Sequence, residues 1–145
     1  MNFSSGPSLL DRRLRTLEDI GFQTFKGFLY RYIHPRYSST NHIVSGDGGL
    51  HASGRWNLKG VFRVSYTSAS PETALAEALA HVRYYRLPMF IALPRVLVAL
   101  RADLSRVLNL THGHVRQRLK LSERTIRSLD WRKANQRKCE AETRI

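Results

Sequence analysis

The chain has a single cysteine, Cys139, so an internal disulfide framework is excluded. That cysteine and six scattered histidines give no metal-ligand spacing, and no metal site is expected. No apolar run approaches the roughly 20 residues that a membrane-spanning helix needs. The N-terminal MNFSSGPSLLDRRLR lacks the charged-then-apolar layout of a secretory signal. There is no internal repeat and no low-complexity tract. These absences point to a reducing, cytoplasmic location with no membrane attachment. Acidic residues are also scarce: 11 Asp and Glu face 24 Lys and Arg, for a formal net charge of +13. Only five of the basic residues are lysines and 19 are arginines. Such an excess favours anionic partners, and arginine suits bidentate phosphate contacts better than lysine does. An arginine-rich coding background would give the same composition.

At 145 residues and 42% hydrophobic content, the chain suits one domain with a real core. Residues 1–24 read as a polar leader and a short helix, and residues 25–145 as the domain proper. Phe25–Ile33 is aromatic and β-branched enough for a strand. His34–Gly54 reads as a long Ser- and Gly-rich loop with a Gly46-Asp47-Gly48-Gly49 turn signal. A loop of that length is commonly functional. Gly60–Ser68 alternates and predicts a second strand, with Phe62, Val64 and Tyr66 on one face.

Ser70 and Pro71 then supply an N-cap and a first helical residue. At about 100° per residue the following helix places Ala74, Leu75, Ala78, Leu79 and Val82 on one apolar stripe. Pro88–Leu100 predicts two short strands or one bent edge strand around Pro94. A turn is expected near the end of ADLSRVLNLT. One or two basic helices are expected over His114–Trp131.

Three features in this layout carry chemistry. Glu77 falls off the apolar stripe, and its i+4 neighbour is His81 rather than a lysine or arginine; a solvated surface glutamate would look the same. Arg55 lies in a tight Gly-Arg-Trp-Asn unit, where a glycine lets the backbone come close to a ligand. Arg31 sits within an aromatic strand beside Tyr30 and Tyr32, and if it faces inward it needs an anionic partner. Tyr66 fits equally a core tyrosine with a satisfied hydroxyl. Together they place two arginines, two or three tyrosines and one carboxylate on strand, loop, strand and helix, a set able to hold a phosphorylated nucleotide with a planar leaving group.

The combination GRWN-x-x-G (Gly54–Gly60), then Tyr66-Thr67, then SPETALAE (Ser70–Glu77), resembles the signature of the RES domain family. LYRYIHPRY (Leu29–Tyr37) is similar to that family's first strand, and SGDGGLHASGRWN (Ser45–Asn57) to its approach to the second arginine. The likeness runs from about Phe28 to about Trp131. It implies an α+β fold, a mixed split β-sheet with flanking helices like that of ADP-ribosyltransferase toxins. It implies a toxin that consumes NAD as substrate, without a metal, and that is countered by an Xre-type helix-turn-helix antitoxin. Nicotinamide would be cleaved off and ADP-ribose passed to water, phosphate or protein. By motif position, Arg31 and Arg55 would be the substrate-binding arginines and Glu77 the acidic catalytic residue. Tyr32 and Tyr66 would line the nicotinamide pocket.

The family's serine belongs to a C-terminal Pro-Ser segment with no counterpart here, and neither Ser122 nor Ser128 has that context. The domain is therefore expected to be incomplete at its C-terminus. A working toxin, an inactive truncated copy and a remnant that only binds the antitoxin stay open. A basic nucleic-acid-binding module is the competing reading. It rests on the net charge and on VRQRLKLSERTIRSLDWRKANQRK, which carries neither zinc-finger spacing nor an RNP-like motif.

Overall fold

The structure, a computed structural model, describes residues 19–137. The expected leader through Glu18 and Cys139 lie outside them. Two long strands dominate: β1 (Gln23–Ile33) and β2 (Val96–Val107). They pair antiparallel, with Leu29 opposite Leu100, Arg31 opposite Val98 and Ile33 opposite Val96. The register slips between Gln23 and Phe25.

The helix α3 (Pro71–Tyr84) packs against β1. It forms as its sequence dictates. The Ser70 hydroxyl accepts from the Thr73 N–H at 3.2 Å, and Pro71 opens the first turn. Glu72 lies at the positive end of the helix dipole and His81 and Arg83 at the negative end. Its buried side chains are Ala74 and Val82. Leu75, expected on the same stripe, is instead 40% exposed: among the described residues the sheet beneath has two strands, so the contact stripe is narrow.

Three sequence expectations need correction. Residues 34–54 are not one loop. They hold a 3-10 turn at Pro35–Tyr37 and two short helices, α1 (Thr40–Ser45) and α2 (Gly48–His51). Gly60–Ser68 is not a strand of the sheet. Only Ser68 bridges to β1, exchanging two 2.8 Å backbone bonds with Tyr30. Upstream, the Val64 N–H goes to the Gly46 carbonyl at 3.0 Å, and Arg63 pairs with Asp47 at 2.6 Å. The segment thus spends its polar groups on the α1–α2 turn, not on a neighbouring strand.

Finally, Pro88–Leu100 opens with a 3-10 turn at Met89–Ala92. The strand that follows runs seven residues beyond Leu100, to Val107, and the expected turn comes after it, at Leu110 and Thr111. Beyond β2 come α4 (Gly113–Arg118), α5 (Glu123–Ser128) and α6 (Trp131–Gln136). Val115, Leu119 and Leu121 make a small buried cluster there, joined by Ile20, Leu108, Leu110 and Ile126. No helix among the described residues is long and apolar enough to cross a membrane.

Candidate ligand cleft

The turn that carries Arg55 is built around one buried amide. Asn57 is 1% exposed. Its Oδ1 accepts from the Gly54 N–H at 3.1 Å and from the Tyr66 hydroxyl at 2.9 Å. Its Nδ2 donates to the carbonyls of Gly49 and Ala52, both at 3.0 Å. The Tyr66 hydroxyl in turn accepts from the Trp56 N–H at 3.0 Å. A Cβ on Gly54 would lie 2.4 Å from the Tyr66 oxygen and 2.8 Å from Asn57 Oδ1, so this position takes glycine only. Asn135 of α6 donates to the Ser53 carbonyl at 3.1 Å, and the Arg55 guanidinium donates to the Ile126 carbonyl. The turn is therefore pinned from both sides, and Arg55 and Trp56 are held where they stand.

That turn forms one wall of a cleft of about 480 Å³. β1 contributes Arg31 and Tyr32, the segment before α3 contributes Tyr66 and Ser68, and α3 contributes Glu77. All five residues picked out by the motif positions thus line a single cavity. Tyr66 does so differently from the expected strand residue. Its hydroxyl is committed to the turn, while 38% of its surface stays exposed. The Arg31 guanidinium donates to Ser65 Oγ at 2.7 Å and to the Ile43 carbonyl at 3.3 Å. Burial lowers its pKa, and as an arginine it keeps its charge. No described carboxylate pairs with it. Glu77 is exposed, and its Oε2 accepts from Ser68 Oγ at 3.1 Å. Ser68 is itself buried and locked to Tyr30, so it orients the carboxylate from a fixed base.

The remaining wall comes from α6, through Trp131 and Arg132. A clasp holds α6 to α3: the Tyr84 hydroxyl donates to Asp130, 2.8 Å from Oδ2 and 3.0 Å from Oδ1. Asp130 also caps α6, accepting from the Lys133 N–H at 3.0 Å. The Lys133 N–H and then the Tyr84 hydroxyl hold the Asp130 carboxyl below its ordinary 3.8. A lowered carboxyl stabilises the fold fully above pH 3.8, and that contribution is shed as pH falls through the lower folded value. Asp130→Asn is therefore expected to shrink the acid limb of a melting-temperature-against-pH profile. An unchanged acid limb would contradict the clasp.

Ser68, Trp131 and Arg132 are cleft residues that sequence reasoning missed. Ser68 stands two residues before an N-cap, where serine is unremarked. Trp131 and Arg132 lie in a basic run whose return to α3 depends on the Tyr84–Asp130 bond, a contact 46 residues apart. Among the described residues no group of three or more His, Cys, Asp or Glu side chains could hold a metal ion.

The fold and cleft define a small α+β domain with an arginine- and aromatic-lined cavity carrying one carboxylate. The RES domain model matches residues 28–143, and the chain belongs to that family. A chain in the crystal structure of the M. tuberculosis MbcT–MbcA toxin–antitoxin complex shares its fold, with a TM-score of 0.73 and 20% sequence identity. The superposition covers 86% of this chain and 67% of that one. No curated protein matches the chain significantly.

Proposed function

We propose that the chain is the toxin of a toxin–antitoxin pair and that its cleft binds NAD and breaks the nicotinamide–ribose bond. The observation that carries this reading is the convergence of Arg31, Arg55, Tyr32, Tyr66 and Glu77 on one cleft of about 480 Å³. That volume is in the range of small-molecule sites. Membership of the RES family and the likeness to a chain of a toxin–antitoxin complex support it.

In this reading the two arginines take the pyrophosphate through paired N–H donors. The exposed faces of Tyr32 and Tyr66 hold the flat nicotinamide ring. The bond between ribose C1′ and the pyridinium nitrogen breaks, and its electron pair leaves on neutral nicotinamide. Positive charge develops on the ribose, and the Glu77 carboxylate, steadied by Ser68, stabilises it. Water then adds at C1′ and loses a proton, giving ADP-ribose. Phosphate or a protein side chain in place of water makes the enzyme a phosphorylase or an ADP-ribosyltransferase. The natural partner is an Xre-type helix-turn-helix antitoxin, and the cytoplasmic NAD pool is the target. The nucleic-acid reading draws on basic charge of which Arg116 is spent on the fold itself, donating to the Leu110 and Thr111 carbonyls at 2.8 and 2.6 Å and pairing with Glu123 at 3.5 Å.

Induced expression in bacteria tests this reading. The expected result is a fall in cellular NAD that precedes growth arrest, with both relieved by the antitoxin encoded beside the gene. Growth arrest at constant NAD, or folded protein with no effect on either, would sink it.

A further inference from the structure

Arg132 differs from the other described arginines of the cleft in how it is held. Its Nε is buried and has no hydrogen-bond partner. Its guanidinium lies 4.3 Å from the Trp131 ring centroid and 5.3 Å from that of Tyr84. The carboxylate next to it in sequence, Asp130, is engaged by the Tyr84 hydroxyl and the Lys133 N–H. No described ion pair includes Arg132.

A cation on two aromatic faces is oriented but not neutralised. A buried N–H donor without an acceptor costs free energy, so the Arg132 side chain is held by packing rather than by hydrogen bonds at Nε. Arg132 lines the cavity with a guanidinium that no described carboxylate neutralises, and a guanidinium fork matches a phosphate.

We propose that Arg132 is a third anion-binding residue of the cleft and takes a phosphate oxygen of the bound nucleotide. The identity of that nucleotide rests on the NAD reading above; the phosphate contact does not. The Tyr84–Asp130 clasp has a role in this scheme: it sets α6 against α3 and so delivers Arg132 to the cavity wall.

ADP is the probe, because it carries the diphosphate and no nicotinamide–ribose bond. Its affinity is measured calorimetrically at fixed salt for the wild type, Arg132→Gln and Arg132→Lys, with nicotinamide as the phosphate-free control. Loss of a hydrogen bond to a charged group predicts ADP binding weakened by about tenfold or more in Arg132→Gln, with Arg132→Lys in between and nicotinamide unaffected. Unchanged ADP affinity overturns the proposal, as does equal loss for ADP and nicotinamide, which would mark a structural role. If Arg132→Gln does not fold, Arg132→Lys decides by the same comparison.

Nicotinamide release from NAD is scored on the same samples. ADP binding that depends on Arg132 without any release would sink the NAD reading and keep the phosphate contact. Release and ADP affinity that both survive in Arg132→Gln would sink only the contact. A wild type that binds no ADP would sink both.

Discussion

Glu77→Gln is expected to slow nicotinamide release from NAD by about two to three orders of magnitude, the scale of removing one preorganised electrostatic contact to a transition state. Glutamine keeps the length of the side chain and can still accept from Ser68 Oγ. What it loses is the negative charge that the developing ribose cation needs. Glu77 is exposed and forms none of the described ion pairs, so the melting temperature should barely move. The loss should fall on kcat, with KM for NAD changing little, because the charge matters most when the bond is breaking. Full activity in a folded Glu77→Gln protein would remove Glu77 from the chemistry.

Asn57→Ala is expected to have the largest effect on stability, about 3 kcal/mol or more, because it strands several buried polar groups at once. Five bonds disappear with the amide: those from Gly54 N–H and the Tyr66 hydroxyl, those to the Gly49 and Ala52 carbonyls, and a longer one to the Leu58 carbonyl. The truncated side chain also leaves a void at one of the most completely buried positions. Chemical denaturation of the variant checks the figure. Activity should be lost even where the protein stays folded, since the turn that presents Arg55 loses its centre. A change of under about 1 kcal/mol would show that the amide is not the centre of the turn, since surface substitutions fall in that range.

The cleft was more legible in the sequence than the sheet. Arg55, Tyr66 and Glu77 lie within 23 residues, on a turn and a helix fixed by local signals: Gly54 at a position closed to any Cβ, and Ser70-Pro71 at the helix start. Local chemistry of this kind reads directly from residue order. The supposed strand Gly60–Ser68 alternates as a strand should, yet its polar groups are claimed by Gly46 and Asp47, and periodicity says nothing about which partner wins. β2 extends past its apolar run for the opposite reason. Arg101, Asp103 and Arg106 break the apolar run, but pairing with β1 carries the strand on to Val107. Arg132 was invisible because its place depends on the long-range clasp between Tyr84 and Asp130.

The most direct test of the whole account is nicotinamide release from NAD by the purified chain, run beside Arg31→Gln and Glu77→Gln. The account predicts saturable release by the wild type, a rise in KM for Arg31→Gln and near-complete loss of turnover for Glu77→Gln. A folded wild type that releases no nicotinamide, or release untouched by either substitution, would contradict it.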